Sequence, residues 1–376
     1  MAGPLSGIRI IELAGIGPGP FCGMMLADHG AEVIRVERIG GRLRATDPLS
    51  RSRKSIAVDM KSPQGVALIR ELARTADGLI EGFRPGVTER LGLGPEVLIA
   101  DNPKLVYGRM TGWGQTGPYA QAAGHDINYI ALSGALHTIG RPGMKPTPPV
   151  NYLGDFGGGG MMLAFGMVSA LLAVRNGGAG QVIDCAMTDG SAVLTGMTWG
   201  FKAAGMWKDE AGVNLLDTGA HFYDTFACAD GKFISIGSIE PQFYALLRET
   251  LGLADDAAFD AQMDPSQWPA LKEKLGAIFA SKPRDHWCDL MEATDICFAP
   301  VLSLADAPDH PHNKARGTYI EVAGVTQPAP APRYSKTPTD PPRPAPKVGA
   351  DSDGLLGELG YGTDRIAELR ATGTIG

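Results

Sequence analysis

Three ionisable side chains stand at expected helix starts, where the chemistry of a proton-transfer site is easiest to build. His125 lies in Gly124-His125-Asp126-Ile127-Asn128-Tyr129, ahead of an apolar helical stretch from Ile130 to Leu136. A neutral imidazole held at a helix start is able to act as a base. Backbone N–H groups at the same end, near Asp126, can receive developing negative charge. Asp155 lies in Asn151-Tyr152-Leu153-Gly154-Asp155-Phe156, followed by four glycines and a buried helix expected from about Gly159 to Arg175. Glu240 sits between a strand, Phe233 to Gly237, and a helix opened by Pro241. Each residue also has a plain structural use, as an N-cap or a first-turn carboxylate.

Charge suggests a second activity, anion binding. Arg35, Arg38, Arg42, Arg44, Arg51, Arg53 and Lys54 face only Glu37 and Asp47 between residues 35 and 54, a local excess of five positive charges. Lys61, Arg84 and Arg90 follow at other strand-to-helix junctions, where open α/β sheets bind ligands. Arginine suits phosphate because its planar fork binds two oxygens at once, so the cluster points to a polyphosphate ligand. The loop Gly15-Ile16-Gly17-Pro18-Gly19-Pro20 resembles a dinucleotide fingerprint, with Glu37 placed to meet a ribose. Pro20 occupies the third small position, however, and no nicotinamide or flavin is expected.

Stacked β-α-β units are expected to hold these residues. Short apolar runs at Ile8 to Leu13, Glu32 to Glu37, Ser55 to Val58, Gly78 to Gly82 and Leu105 to Met110 alternate with helical patterns. Ser62 and Pro63 open one helix, running to about Thr75, as N-cap and first helical residue. A strand from Gln181 to Ala186 and a helix from about Gly190 complete a large domain over residues 1–195. Residues 196–222 read as a linker. A small α+β domain over 223–327 contains a two-stranded pattern, His221 to Ala227 and Lys232 to Gly237, and helices near 241–252, 268–281 and 284–294. Eight prolines between Pro328 and Pro346 then form a return strap, and Gly354 to Ala371 reads as a surface helix.

Composition narrows the functional classes. The 376 residues carry 34 basic and 41 acidic side chains, a net charge of −7, with no basic tail to bind nucleic acid. The 51 glycines and 28 prolines show no repeat period, so they imply tight turns and close ligand approach. Neither an export signal nor a membrane span is expected. Cys22, Cys185, Cys228, Cys288 and Cys297 are odd in number and unpaired in spacing, which fits a reducing, cytoplasmic setting without a structural metal.

Longer segments carry a resemblance. Pro4 to Ala14, Asp28 to Glu37, Glu81 to Gly94, Met110 to Pro118, Leu355 to Tyr361 and Ile366 to Arg370 resemble the family III CoA-transferase and racemase group over nearly the whole chain. Gly124 to Tyr129 and Gly154-Asp155-Phe156 resemble its α-methylacyl-CoA racemase branch. The resemblance implies a large Rossmann-like open parallel sheet that binds CoA, a smaller α+β domain, and an interlocked homodimer. It implies interconversion of (2R)- and (2S)-2-methylacyl-CoA through an enolate, with no cofactor, since coenzyme A is part of the substrate. His125 and Asp155 would flank the α-carbon, one removing the proton and the other returning it. Glu240 would orient His125, and the helix end at Asp126 would meet the enolate. Arg38, Val58, Asp59, Met60, Lys61, Gly82, Phe83, Arg84, Arg90, Gly124 and Tyr129 match positions that hold the CoA. Transfer of CoA between acids, with Asp155 forming a mixed anhydride, is the alternative. His125 with Glu240 discriminates against it, because nucleophilic transfer needs no second base.

Overall fold

The computed structural model describes residues 2–376, which divide into two compact units. The first contains residues 2–133, 150–194 and 317–376. Its strands β1 (Arg9–Leu13), β2 (Glu32–Glu37), β3 (Lys54–Ala57), β4 (Gly78–Glu81), β5 (Val106–Thr111) and β6 (Val182–Ala186) form one parallel sheet in the order β3-β2-β1-β4-β5-β6. This is the expected open α/β architecture. Helices α1 (Pro18–Asp28), α2 (Pro63–Arg74), α3 (Val87–Arg90), α4 (Pro95–Asp101), α5 (Asp126–Leu132), α6 (Met162–Arg175) and α7 (Met187–Leu194) fill the connections.

The apolar runs of the strands arise because both sheet faces are covered. Ile11, Ile34, Ile56, Leu79 and Tyr107 point to one face, where Leu68, Ile69 and Leu72 of α2 pack with Leu98 of α4. Ile10, Val33, Ile80 and Val106 point to the other, against Cys22 and Leu26 of α1 and Leu163 and Met167 of α6. At the start of α2, the Ser62 hydroxyl accepts a hydrogen bond from the Gly65 N–H at 3.0 Å, as the Ser-Pro pair predicts.

The glycine-rich segment departs from expectation. Tyr152–Met161 is a π-helix continuous with α6, so Asp155 lies inside the first helical turn rather than ahead of it, and Asn151 takes the N-cap position. Gly158, Gly159 and Gly160 permit this wide turn to press on its neighbours, for a Cβ there would meet Ser191, Met187 or Phe21 within 3 Å. Tyr152–Arg175 is also long and apolar enough to cross a membrane, but α6 buries Leu163, Met167 and Leu171 against the sheet. Only that face is covered. Phe165, Val168 and Leu172 form an exposed stripe, with Phe165 73% accessible, so the helix is not buried all round.

The second unit contains residues 134–149 and 195–316. Helix α8 (Gly196–Ala203) leads to an antiparallel sheet of β7 (Tyr223–Ala227), β8 (Phe233–Gly237) and β9 (Phe298–Val301), packed with α9 (Pro241–Thr250), α10 (Trp268–Phe279) and α11 (Arg284–Met291); α12 (Pro311–Arg316) follows. Phe222, Phe226, Phe259, Trp268, Phe279 and Trp287 dominate its core. The third strand escapes sequence reading because it is a four-residue edge containing Pro300.

The boundaries therefore differ from the linker at 196–222 and the break at 327. The presumed linker is folded. Asn214 donates to the Lys208 and Glu210 carbonyls, and Ala220 and Phe222 are fully buried. Irregular backbone held by side chains has no hydrophobic period to read. Residues 134–149 join this unit because Arg141 grips Asp224 at 2.6 Å. The hairpin of β10 (Tyr319–Val322) and β11 (Val325–Pro328) belongs to the first unit, where Gln327 accepts from buried Arg51 at 2.8 Å.

The proline-rich segment stays with that unit, its Arg343 carbonyl accepting from the Ser52 N–H at 2.9 Å. The expected surface helix is two helices, α13 (Ser352–Glu358) and α14 (Thr363–Ala371), separated by Gly360 at φ 88°. Leu355, Leu356, Ile366 and Leu369 are buried in the same cluster as Ile56 and Val58, so this end of the chain is core. Truncating a fully buried leucine leaves a cavity and costs about 2–5 kcal/mol. Leu356→Ala is therefore expected to lower the urea midpoint of unfolding by a corresponding amount, whereas Leu172→Ala on the exposed stripe of isolated chains is not. Equal midpoints for Leu356→Ala and the parent would show that these helices contribute nothing to the fold.

Candidate active site

The sheet order reverses between β1 and β4, and the carboxyl ends of the strands on either side open a crevice there. A cleft of about 590 Å³ occupies it, lined by Leu13 and the Gly15–Pro20 loop, Ile80 to Pro85, Met110 to Trp113, Ala122 to His125, Tyr129, Asn151, Asp155 and Met187. Every lining residue belongs to the first unit. The strands supply rigid ends and the loops supply the chemistry.

His125 is the N-cap residue of α5, where its backbone N–H donates to the Asn128 side-chain oxygen at 3.1 Å. Its ring is solvent-exposed on the cleft wall. The helix begins at Asp126, four residues earlier than the apolar pattern indicated. Tyr129 anchors the same loop by donating to the Gly124 carbonyl and stacking edge-on against Trp113.

Asp155 lines the same cleft as His125, near enough for their charges to interact. Burial pushes its carboxyl above the ordinary range; the Asn151 amide, donating at 3.0 Å, opposes the shift, Asp126 adds to it, and His125 opposes it. Tyr129 is a further titratable group nearby, its hydroxyl pushed up mainly by burial and then by the Asp155 charge, with Arg84 opposing. Gly17 approaches from the remaining side: at φ 65°, its Cβ would lie 3.3 Å from the Asp155 carboxylate. Asn151 was not singled out in the sequence, although its position one helical turn before Asp155 is the usable signal.

The part expected of Asp126 belongs to its backbone N–H, and its side chain has a separate one. Its side chain does not line the cleft. It lies beneath, 6% exposed, where one oxygen accepts the Asp155 N–H at 2.7 Å and the other has no hydrogen-bond partner among the described residues. Gly154 must be glycine, for a Cβ would stand 2.5 Å from that carboxylate.

Gly82, Phe83, Arg84, Gly124 and Tyr129 join His125 and Asp155 on the lining. Arg38, Val58, Asp59, Met60, Lys61 and Arg90 lie outside it, after the carboxyl ends of β2, β3 and β4. Val58 is buried and bridges to Ile375, and the Asp59 N–H donates to the Thr374 carbonyl at 3.0 Å. Glu240 belongs to the second unit, as the exposed N-cap residue of α9.

The basic cluster needs correction. Of its seven members, Arg35, Arg51 and Arg53 are buried and paired with Glu12, Glu37 and Asp28, and Lys54 is paired with Glu32 and Glu358. Apart from Glu37, on Arg35's own strand, their partners come from other strands and helices, so four of the seven charges are neutralised by residues that the local count leaves out. Arg38, Arg42 and Arg44 remain exposed. A second buried pair, Arg109 with Glu81 at 2.8 Å, was not anticipated; Glu81 also accepts the Phe83 N–H at 2.7 Å, tying the Gly82–Pro85 turn to the sheet.

Known proteins resemble this chain along almost its entire length. Alpha-methylacyl-CoA racemase of Mus musculus is 47% identical over 369 residues, covering 98% of this chain and 96% of that protein. The human protein of the same name is 44% identical over 370 residues, with the same coverage of both chains. A crystal structure of a CAIB/BAIF family protein from Brucella suis superposes with a TM-score of 0.81 at 27% identity, covering 96% of this chain and all of that one. The profile of CoA-transferase family III matches residues 5–352. From the opening strand through the start of α13, the chain is a member of CoA-transferase family III.

Proposed function

We propose that this protein is an acyl-CoA racemase, interconverting (2R)- and (2S)-2-methylacyl-CoA by moving the α-proton through an enolate. The observation that carries the reading is the presence of His125 and Asp155 on one cleft in a chain 44–47% identical to two named racemases. Inversion needs one group on each face of the α-carbon, a base to take the proton and an acid to deliver it from the opposite side. An exposed imidazole and a carboxylic acid whose protonated form is favoured by burial suit those complementary tasks. The Asn128 and Tyr129 N–H groups bond to the His125 carbonyl, whereas those of Asp126 and Ile127, too early in α5 for an intrahelical acceptor, are available to the thioester oxygen. The reaction is redox-neutral, so no hydride carrier is invoked, and CoA enters as part of the substrate.

Arg38, the Val58–Lys61 turn, Arg84 and Arg90 are assigned to the CoA portion, all following strands at the same end of the sheet. Glu240 is assigned to orient His125 from the partner chain of a homodimer. Two features favour that assembly. The exposed apolar stripe of Phe165, Val168 and Leu172 continues in kind on α7, where Val193 is 66% accessible, and such area is unusual on a monomer. Glu240 and His125 also belong to separate units, consistent with a site completed by another copy.

In deuterated water, one pure epimer of a 2-methylacyl-CoA is expected to acquire deuterium at the α-carbon as it epimerises, without added cofactor. Mass analysis with chiral separation checks this. Epimerisation without exchange, or neither across an acyl-CoA panel, would reject the enolate route.

Loss of one acid-base group typically slows turnover by about 10²–10⁴-fold. His125→Ala and Asp155→Asn are each expected to fall in that range, Glu240→Gln less, because it only polarises the imidazole. With Asp155 as base, activity in that direction is lost as pH falls through a carboxyl pKa above the usual aspartate value, and Asp155→Asn removes this limb. Full activity in all three variants would sink the assignment.

Co-refolding a Glu240→Ala chain with a His125→Ala chain separates shared sites from self-contained ones. Cross-chain completion predicts recovered activity, since a mixed dimer holds one intact pair. Mixtures no more active than either parent would place both residues of each site in one chain.

A further inference from the structure

Two sequence features have no part in the reading above, the Gly15–Pro20 loop and the inward arginines of the basic segment. The structure joins them. Glu12, Arg35 and Arg53 are 1%, 5% and 4% exposed and form one network beneath the loop. Glu12 binds Arg35 through one carboxylate oxygen and Arg53 through the other, the latter at 2.9 Å. The free arm of each guanidinium then reaches the loop: Arg35 Nη2 donates to the Gly15 carbonyl at 3.1 Å, and Arg53 Nη2 donates to the Pro20 carbonyl at 2.7 Å. The network thus grips both ends of the loop, while its middle residue, Gly17, stands against Asp155.

From this geometry we infer that Arg35 and Arg53 are positioning residues, which hold the Gly15–Pro20 loop as the wall that shields the Asp155 carboxyl. The inference rests on the assignment of Asp155 to proton transfer. Pro18 to Pro20 form the first turn of α1 and Gly17 is its N-cap, so the segment to be ordered is Gly15 to Gly17, whose two glycines give it little stiffness of its own. The helix start fixes its far end, where the Gly17 carbonyl accepts the Phe21 N–H at 3.1 Å, while Arg35 holds the Gly15 carbonyl at the near end and Arg53 holds the first turn of α1 through Pro20. Arginine is required because one planar fork must satisfy a carboxylate and a carbonyl together, and at Arg35 a second carboxylate as well, Glu37 at 2.5 Å. Lysine keeps the charge and loses that simultaneous reach. Gly23 on α1 belongs to the same device: a Cβ there would collide with the Glu12 carboxylate and lie 2.6 Å from Arg53 Nη2.

The test compares Arg35→Lys and Gly23→Ala with the parent, normalising rates to folded protein by circular dichroism. Small misplacement of a reacting group lowers turnover by about ten- to a hundredfold. Both variants are expected to lose kcat to that extent with KM for the acyl-CoA unchanged, because the CoA is assigned to other loops. Amide hydrogen exchange, read by mass spectrometry, is expected to quicken over residues 14–21 while the sheet strands keep their protection. Parental kcat and parental exchange over 14–21 would overturn the inference. Loss of protection throughout the sheet, or failure of both variants to fold, would also overturn it by assigning the network to the fold alone. If the parent itself exchanges no α-proton, the racemase reading fails, and the amide data still decide whether the arginines order the loop.

Discussion

All six strands of the main sheet run in one direction, so every loop that follows a strand emerges at the same edge. This constraint governs the rest of the molecule. Parallel strands cannot be joined by tight turns, so each connection crosses a face and helices bury both sides. Chain order then reverses between β1 and β4, the helices diverge, and the crevice between them is open at the strand ends. Gly15–Pro20 after β1, Gly82–Pro85 after β4 and Gly112–Trp113 after β5 meet there without any segment having to be long.

A feature of the strands themselves reinforces that edge. Glu12 lies opposite Arg35 in the β1–β2 register, and Glu81 lies opposite Arg109 in the β4–β5 register. A buried Glu–Arg pair therefore flanks the reversal on each side. Such pairs add little net stability, because desolvation offsets the attraction, yet removing one partner costs about 3–5 kcal/mol by stranding the other charge. Their value here is directional. Glu12 turns two guanidiniums toward the loop after β1, and Glu81 accepts an N–H from the turn after β4. Charge sealed into the sheet becomes order in the loops around the cleft.

Asp155 shows how the same packing sets chemistry. It sits in a π-helical turn whose glycines admit α1 and α7 at close range, and Asp126 holds its backbone from below. Desolvation and a neighbouring carboxylate favour its protonated form, while Asn151 and His125 pull the other way. The carboxyl is held neither fully buried nor freely solvated. His125, on the start of a short helix and open to solvent, has a different surrounding, and the proposed proton transfer draws on that difference.

Much of this was legible in the sequence. Period and punctuation locate β1 to β6, α1's glycine-rich entry, the Ser62 cap and His125 at a helix start, because each depends on residues within a few positions of one another. Resemblance along the chain points to His125, Asp155 and Glu240. What sequence could not settle were relations between distant segments. Whether Arg35, Arg51 and Arg53 face solvent or pair inward depends on Glu12 and Asp28 reaching them from β1 and helix α1, and of their partners local charge counting sees only Glu37. Residues 196–222 look like a linker because hydrogen bonds to Asn214 and Asp217, rather than a hydrophobic period, hold them together. The closing helices look like surface because their few leucines are sparse in sequence, and only the sheet face waiting for them makes Leu355, Leu356 and Leu369 core. Local backbone preference is written in neighbouring residues, whereas burial and charge pairing are properties of whatever the fold brings alongside.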